Sequence, residues 1–385
     1  MPASGTVGVV LDSIMVQRLV PALVRQLSPN RQVWLVDLYR PVEELVDMVR
    51  SRQTIGLITR WVDGITDRLA DLGIPMVAYS FYGSRPNVIC FDVDNAAIGR
   101  AAARHFLDRG LRSFAFVGRD LPYSALRLAS FRETVERSGY RCADFNLPAG
   151  QEHYFEYSPP INRRFSRWLA GLTKPVGVLT AYDKVAWELA DACRVQHLRI
   201  PEQVAVLGVN DDPIYCGLAR PTLSSVRVPW DRIGAGAARA LERIVRRPQK
   251  QANPRQPILF SPEGITVRES TDRIAVPDPT LSRILRFMQS HAAEPVTINQ
   301  VAGQAFCSRR RLETMFQTHL GRSPRKELER LRMERGDDLL RTTDLPVARV
   351  AEQCGYNYPE RFSVAFKRTR GVTPIAFRRR LRASG

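Results

Sequence analysis

Polar side chains follow several short apolar runs in the first two thirds of the chain. Asp12 comes just after the run 6–10, Asp183 comes after the run 176–180, and Asn210 directly follows the run 204–209. Carboxylates accept hydrogen bonds from hydroxyl groups, and an amide both accepts and donates them. Side chains of these types at these places predict a binding site for a small polar ligand.

An aspartate just before a helix has a second common role, which is to cap that helix. A carboxylate at the N-cap accepts hydrogen bonds from backbone N–H groups that the helix leaves free. Both roles are open for Asp94 and Asp183, which each precede an amphipathic segment. Residues 210–212 carry more polar groups than one cap needs, so this run favours ligand binding.

Arg127 lies near the start of a predicted helix, in the sequence PYSALRLASF. A cation at that end opposes the helix dipole, so we expect a specific role for it. Its guanidinium would extend into a cleft, where its fork of donors suits hydroxyl oxygens. A solvated surface position is the alternative. Tyr182 could form an aromatic wall for a sugar ring or pack in the core.

Short β-branched runs alternate with helical patterns through this part of the chain. The run 6–10 precedes an amphipathic segment at 14–27, and the run 55–59 precedes another at 65–72. This alternation is typical of crossover units and a parallel sheet. The rhythm restarts after residue 92, which predicts two open α/β lobes. Ligands of such sheets bind beyond the carboxyl ends of the strands, where the polar residues above would lie.

The last third of the chain contains an internal repeat. Residues 301–324 align with residues 350–374; both begin with Val-Ala, and Phe316 and Gly321 recur fifty positions later. A helix, a sharp turn and a second helix, present twice, predict two helix-turn-helix units. Gly355 would give the second turn a backbone geometry that a Cβ disfavours.

Polar and cationic side chains cluster on the exposed face of the second helix of each unit. The predicted DNA contacts are Ser308, Arg309, Arg310, Glu313, Thr314, Pro359, Glu360, Arg361, Ser363, Val364 and Lys367. Four cations flank the face in the second unit and can reach phosphates: Arg361, Lys367, Arg368 and Arg370. The start of such a helix enters the major groove, where Arg309 or Arg310 could contact guanine. A basic bundle that docks to a protein or to an acidic membrane is the alternative, which the duplicated motif disfavours.

The charge of the chain is strongly positive. Its 385 residues carry a formal charge of +18, and residues 279–385 hold 21 Lys and Arg against 10 Asp and Glu. Such an excess points to a polyanionic partner, either nucleic acid or an acidic membrane. Because the excess is concentrated in the C-terminal third, we expect the partner to bind there.

Targeting and metal signals are absent from the sequence. The six cysteines lie far apart without a CxxC pair, which predicts a reducing compartment and neither a disulfide framework nor a zinc site. No stretch reaches the ~18 apolar residues of a membrane span, and the first residues do not form a signal peptide. We therefore expect a cytoplasmic protein with no metal, no cofactor and no membrane partner.

Catalytic motifs are also missing. The sequence has no glycine-rich phosphate loop and no nucleophile elbow. We therefore predict that the protein is not an enzyme. A carbohydrate-active enzyme with a basic helical appendage is one alternative, and a solute-binding protein that serves a transporter is another.

The segment 200–241, which begins IPEQVAVLGVNDDPIYCGLARPTLSSV, resembles the effector domain of the LacI/GalR repressors. The segments FDVDNAAIG, LRSFAFVG and YSALRLASF fit the same pattern. The resemblance implies the type I periplasmic-binding-protein fold. It also implies that Arg127 and Asn210 contact a sugar, with Asp94, Tyr182 and Asp183 near the cleft. Many relatives carry Asp at the position of Asn210.

The segment 347–382, VARVAEQCGYNYPERFSVAFKRTRGVTPIAFRRRLR, closely resembles the second helix-turn-helix unit of the AraC/XylS regulators. The resemblance implies two units that read successive major grooves of one DNA face. It also implies a long joining helix, expected here over residues 324–341.

These features together predict a fold class and a domain organisation. We expect a two-lobe α/β periplasmic-binding-protein-like domain with parallel sheets, followed by an all-α domain with two helix-turn-helix units. The predicted bounds are 1–270 for the effector domain, 271–280 for a linker and 281–385 for the DNA-binding domain, with units at about 297–321 and 346–371.

The resemblance implies a sugar-responsive transcription activator that binds half-sites in double-stranded DNA as a homodimer and contacts RNA polymerase. The order of the two domains resembles that of pentose-operon regulators, which implies xylose as the effector.

Overall fold

The computed structural model of the chain describes residues 5–80, 85, 87–147, 163–246, 257–272, 279–304 and 307–383. Two α/β lobes form the first domain, and the second domain is helical throughout its described residues. This architecture confirms the predicted fold class.

The first domain contains strands and helices in close alternation. In chain order they are β1 (Gly5–Leu11), α1 (Ser13–Gln26), β2 (Arg31–Asp37), α2 (Val42–Ser51), β3 (Thr54–Arg60), α3 (Ile65–Ala70), β4 (Met76–Tyr79), β5 (Val88–Val93), α4 (Asn95–Asp108), β6 (Ser113–Arg119), α5 (Pro122–Arg137), β7 (Cys142–Leu147), α6 (Arg163–Gly171), β8 (Val176–Thr180), α7 (Asp183–Val195), β9 (Val204–Val209), α8 (Pro213–Leu218), β10 (Ser224–Val226), α9 (Trp230–Arg246), β11 (Ile258–Phe260) and β12 (Ile265–Thr266). A short 3₁₀ turn, Glu269–Thr271, follows them.

Each lobe is built on one six-stranded sheet. The first sheet has the order β11-β5-β4-β3-β1-β2, and all its strand pairs are parallel. The second has the order β12-β10-β9-β8-β6-β7, in which only β12 runs antiparallel to its neighbour. Every residue of β5 and β9 is buried, as expected for strands that helices cover on both faces.

The chain passes between the two lobes at three places, after β5, after β10 and after β11. The carboxyl ends of the parallel strands of both sheets therefore border one cleft. Helix α4 packs closely on α5 because Gly99 has no side chain: a Cβ there would lie 2.4 Å from the carbonyl oxygen of Arg127. This close packing fixes the helix that carries Arg127.

The second domain consists of seven helices in its described residues. They are α10 (Pro279–Ser290), α11 (Ile298–Gln304), α12 (Arg309–Leu320), α13 (Pro324–Thr342), α14 (Val347–Gln353), α15 (Pro359–Arg370) and α16 (Pro374–Ala383). The pairs α11–α12 and α14–α15 are the two predicted helix-turn-helix units, and α13 is the predicted joining helix.

Each helix-turn-helix unit has its own small core. Val350, Ala351, Phe362 and Phe366 are buried in the second unit, as the sequence predicted. Gly355 has a φ of +72°, and a Cβ on it would lie 2.5 Å from the carbonyl oxygen of Glu294. The turn of the second unit therefore requires glycine for its backbone conformation and for its close approach to the preceding loop.

Thr271, the first residue of the predicted linker, packs against the effector domain. Thr271 is buried, and its hydroxyl lies 2.9 Å from Nε2 of His105 and donates to Ser224 Oγ at 2.7 Å. Helix α10 begins at Pro279, slightly before the predicted start of the next domain. Residues 273–278 of the predicted linker lie outside the described residues.

Candidate functional site

The cleft between the lobes has polar, cationic and aromatic walls. The space between these walls amounts to about 830 Å³, including solvent at its mouth. Four of the predicted ligand-binding residues line it: Asp12, Arg127, Tyr182 and Asn210. A lining of aromatic rings with a few polar groups is typical of a small-molecule site.

Arg127 is buried, and neighbouring groups hold its guanidinium in place. Its Nε donates to Asn95 Oδ1 at 2.9 Å, and its Nη1 donates to the carbonyl oxygen of Ala181. The guanidinium carbon lies 5.0 Å from the centre of the Tyr123 ring. The alternative prediction, that this arginine is a solvated surface residue, is therefore wrong. Its guanidinium lies in the wall of the cleft.

Asp12 has two structural contacts in addition to its place in the cleft. Its Oδ1 accepts from the backbone N–H of Met15 and caps α1, while its Oδ2 accepts from Arg60 Nη1, both at 2.9 Å. Asp12 therefore both caps α1 and lines the cleft. Because one carboxylate oxygen holds Arg60, it also orients that cation toward the cavity.

The strand end at Asn210 has an unusual backbone. Asn210 has a φ of +112° and Asp211 has a φ of +57°. Residues other than glycine rarely adopt positive φ, and those that do cluster at ligand sites. Backbone hydrogen bonds hold this turn, since the N–H of Asn210 donates to the carbonyl of Val226 at 2.9 Å.

Asp94 and Asp183 are not among the residues that line the cleft. Asp94 caps α4 by accepting from the N–H of Ala97 at 2.7 Å, which is the alternative role weighed for it. Asp183 makes no capping bond; its carboxylate accepts from the N–H of Asp212 at 2.8 Å and from Ser225 Oγ at 2.6 Å. Burial raises the pKa of Asp183 to about 7, although these two hydrogen bonds lower it. Asp183 thus supports the strand end that carries Asn210.

Sequence reasoning missed a large part of the cleft. Other residues that line it are Arg18, Arg60, Tyr79, Arg119, Tyr123, Lys184, Tyr215 and Trp230. Arg60, Tyr79 and Arg119 are the last residues of β3, β4 and β6. The rule that ligands bind at strand ends would have found these three, had it been applied to cations and aromatics as well as to acids and amides.

The predicted DNA-binding faces lie on α12 and α15. Ser308, Arg309, Arg310, Glu313 and Thr314 are exposed; Ser308 caps α12, and Arg309 pairs with Glu313 at 3.1 Å. Both helices end at a glycine in the left-handed conformation, as the repeat suggested.

In the second unit, Glu360, Arg361, Val364 and Lys367 are exposed, and Pro359 and Ser363 are partly exposed. The guanidinium carbon of Arg361 lies 5.2 Å from the centre of the Tyr358 ring.

Two of the flanking cations are held by acidic side chains of α13. Arg368 pairs with Glu329, and Arg370 pairs with Asp337 at 2.6 Å. These ion pairs fix α15 against the joining helix. The other two flanking cations, Arg361 and Lys367, are exposed on α15.

Helix α4 connects the cleft with the second domain. Asn95, its first residue, accepts the hydrogen bond of Arg127. Asp108, its last residue, accepts from Arg322 Nη1 at 3.2 Å, and Arg112 just beyond it donates to the carbonyl of Thr318 at 3.4 Å. A helix of 14 residues spans about 21 Å. One helix therefore extends from the wall of the cleft to the surface of the second domain.

Two family models match the chain. A periplasmic binding protein-like domain matches residues 103–271, and a helix-turn-helix domain matches residues 301–380. These matches give the chain a periplasmic binding protein-like domain followed by a helix-turn-helix domain. The resemblance predicted from the sequence is thereby confirmed.

Particular relatives are similar over most of the chain. The Xylose operon regulatory protein of Escherichia coli (strain K12) is 26% identical over 373 residues, which cover 94% of this chain and 93% of that protein. The protein of the same name from Haemophilus influenzae is 27% identical over 341 residues, which cover 86% and 87%. A solved structure of a xylose-binding transcription activator, xylR, has a TM-score of 0.59 at 24% identity and covers 97% of both chains.

No helix within the described ranges is long and apolar enough to cross a membrane.

Proposed function

We propose that this chain is a transcription regulator whose affinity for DNA is set by a sugar-like ligand in the cleft. The observation that carries the proposal is that α4 joins a cleft containing buried Arg127 to the domain that carries the two helix-turn-helix units. The Escherichia coli relative is named a xylose operon regulatory protein, so xylose is the first candidate ligand. Since the relatives are regulators, we propose binding without chemical turnover.

The ligand contacts are proposed to come from both lobes. Asp12 belongs to the first lobe, whereas Arg127, Tyr182 and Asn210 belong to the second. A ligand that bonds to both lobes favours the closed arrangement, because it stabilises that state more than the open one. Asp94 and Asp183 are proposed to act indirectly, since each fixes a backbone segment beside the cleft.

Closure of the cleft is proposed to reach the DNA-binding domain through α4. Arg127 holds the first residue of this helix, and Arg322 of the second domain holds the last. Any shift of α5 that follows ligand binding is therefore passed on to α4 and then to α13. Couplings of this kind are worth ~1 to 3 kcal/mol, which corresponds to a change of about 5- to 150-fold in DNA affinity.

The proposed DNA contacts are those predicted for α12 and α15. Helix α13 holds the two faces apart, and its 19 residues span about 28 Å. This length is comparable to the separation of successive major grooves on one face of the duplex. We also propose, from the resemblance, that the regulator works as a homodimer on repeated half-sites and activates transcription through RNA polymerase.

The first experiment selects binding sites for the full-length protein from a random library of duplex DNA. Fluorescence anisotropy then measures the affinity for the selected site with and without xylose. We expect a change of about 5- to 150-fold on adding ligand. Arg361→Ala should weaken DNA binding and reduce the salt slope by about one, because one phosphate contact is lost, and it should leave ligand affinity unchanged.

Arg137→Ala is the matched control, since Arg137 is an exposed arginine on the effector domain. It should change neither affinity. Failure to select any DNA sequence, or equal losses from Arg361→Ala and Arg137→Ala, would contradict the proposed use of α15.

A further inference from the structure

An apolar side chain lies on the predicted DNA-binding face of α15. Val364 is 67% exposed, whereas Phe362 and Phe366, which lie two positions before and after it, are fully buried. Valine is a weaker helix former than alanine or lysine, so its presence at an exposed position does not stabilise the free helix. Its role is therefore to be sought in what this face contacts.

Val364 lies in the wall of a groove between the two helix-turn-helix units. The groove is lined by Arg309 at the start of α12, by Leu328 and Arg332 of α13, and by Arg361 and Val364 of α15. The predicted DNA-binding faces of both units therefore border the same concave surface. A duplex that contacts both helices must pass over this surface, and Val364 faces it.

Cations lie on both sides of Val364 along the exposed face. Arg361 is three positions before it and Lys367 is three positions after it, and both are exposed. Residues three apart on a helix are neighbours on one face. Because cations at the edges of such a face bind the phosphates that border the groove of the duplex, the side chain between them is directed at base edges.

The chemistry of valine restricts what it can recognise on a base edge. Its side chain has neither a donor nor an acceptor, so it cannot read the hydrogen-bonding groups of the major groove. The apolar group presented there is the C5 methyl of thymine. An isopropyl group that excludes water from this methyl favours thymine over the other bases.

We infer that Val364 selects for thymine in the DNA segment that α15 contacts, through apolar contact with the C5 methyl group. The inference rests on the proposed function, since it names one base feature that the proposed DNA-binding face reads. Arg361 and Lys367 position the helix on phosphates, which carry no sequence information. Val364 therefore contributes to the choice of site and the two cations to the strength of binding.

The test removes the methyl group and leaves the rest of the base unchanged. Each thymine of the site selected by the full-length protein is replaced in turn by deoxyuridine, which lacks only the C5 methyl. Fluorescence anisotropy measures the affinity for each modified site. At one or more thymines we expect a loss of about fourfold, because one methyl-sized group is no longer buried.

Val364→Ala identifies the protein side of the contact. This variant should bind the selected site about fourfold more weakly or worse, because its side chain no longer covers the methyl. At the thymine that Val364 contacts, deoxyuridine should then change the affinity of the variant by less than about twofold, since the methyl has already lost its partner. Replacement of the other thymines should affect the variant and the natural protein alike.

Ile375→Ala is the matched control. Ile375 is 70% exposed and lies at the start of α16, but it is not among the residues that line the groove. Single exposed apolar residues are common on protein surfaces, and this variant shows what such a residue contributes outside the groove. It should bind the selected site as tightly as the natural protein and keep the full response to each deoxyuridine.

The outcomes separate this inference from the proposed function. If no deoxyuridine weakens binding to the natural protein, or if each weakens binding to Val364→Ala equally, thymine recognition by Val364 is wrong and the regulator stands. Equal losses from Val364→Ala and Ile375→Ala would contradict the inference in the same way. Failure to select any DNA sequence would contradict the proposed function and this inference together.

Discussion

At the scale of single residues, burial decides which side chains around the cleft carry charge. Asp183 is fully buried and bonds to the N–H of Asp212 and the hydroxyl of Ser225. Burial nevertheless raises its pKa to about 7. His105 shows the opposite effect, since burial and the neighbouring Arg109 lower its pKa well below the usual value. His105 is therefore uncharged at neutral pH, whereas Asp183 keeps its proton in a large fraction of the molecules.

The raised pKa of Asp183 predicts a pH dependence of stability. Between about pH 4 and pH 7 the folded protein binds a proton at Asp183 that the unfolded chain has released. The free energy of unfolding contributed by this group therefore falls as pH rises, by at most about 1.4 kcal/mol per unit. Asp183→Asn should remove this contribution, so the variant gains stability relative to the natural protein as pH rises from 4 to 7. Thermal melting of both proteins across this range measures the difference.

Asp191→Asn is the control, because Asp191 is a partly exposed member of an ion pair on the same helix. A constant stability difference between Asp183→Asn and the natural protein over pH 4 to 7 would show that Asp183 is ionised throughout.

The sequence could predict the cleft residues that follow strands, but not those that lie on helices. Asp12, Tyr182 and Asn210 follow strands, and strand ends can be recognised from apolar runs. Arg18 and Trp230 lie on helices α1 and α9, and they reach the cleft only because these helices pack together on the first sheet. Such packing joins segments more than 200 residues apart, and no local pattern in the sequence records it.

At the scale of secondary structure, the glycines of the helix-turn-helix units explain why the repeat could be recognised in the sequence. Gly355, Gly321 and Gly371 all have positive φ, and the last two end α12 and α15. The chain needs glycine at these points to change direction, so the same residue recurs in both units. The first unit lacks a counterpart of Gly355 in the sequence, and residues 305–306 of its turn lie outside the described residues.

Gly355 and Gly371 allow a paired test of this turn. Both have φ near +75°, but a Cβ on Gly355 would lie 2.5 Å from the carbonyl oxygen of Glu294, whereas a Cβ on Gly371 meets nothing within 4 Å. Gly371→Ala should cost about 1 kcal/mol from the backbone alone. Gly355→Ala should cost at least about 1 to 3 kcal/mol more because of the overlap.

Hydrogen exchange of peptides from α14 and α15 is the suitable measurement. All five tryptophans lie in the first domain, so tryptophan fluorescence does not report on this unit. Equal loss of protection in the two variants would show that the preceding loop moves aside at no cost.

At the scale of the whole molecule, the end of α4 is where the two domains meet. Arg109 Nε donates to the carbonyl of Thr271 at 2.8 Å, so this residue of the effector domain is fixed beside α4. Asp108 bonds to Arg322 of the second domain, and Arg322 in turn bonds to buried Glu327. The chain connection to the second domain and the noncovalent contacts with that domain therefore both begin beside the C-terminal end of α4.

Asp108→Ala should reduce the effect of ligand on DNA affinity. Its carboxylate is about half exposed, so losing its bond to Arg322 should cost no more than about 1 kcal/mol. We expect the ligand-induced change in DNA affinity to fall about two- to fivefold, with ligand affinity in the absence of DNA unchanged. Glu133→Ala, which breaks an exposed ion pair elsewhere on the effector domain, is the control. An unchanged ligand effect in Asp108→Ala would show that coupling takes another route.

Helix α13 also has a consequence for the DNA itself. Leu328 and Leu331 belong to the core of the first unit, while Met333 and Leu340 belong to the core of the second. The two units therefore share one rigid axis and cannot turn independently around the duplex. Each base pair added between their contact sites rotates one site by about 35° relative to the other. The rigid helix thus fixes the distance between the two DNA segments that the units contact. Operators for this protein should therefore vary more readily in base sequence than in the number of base pairs between these segments.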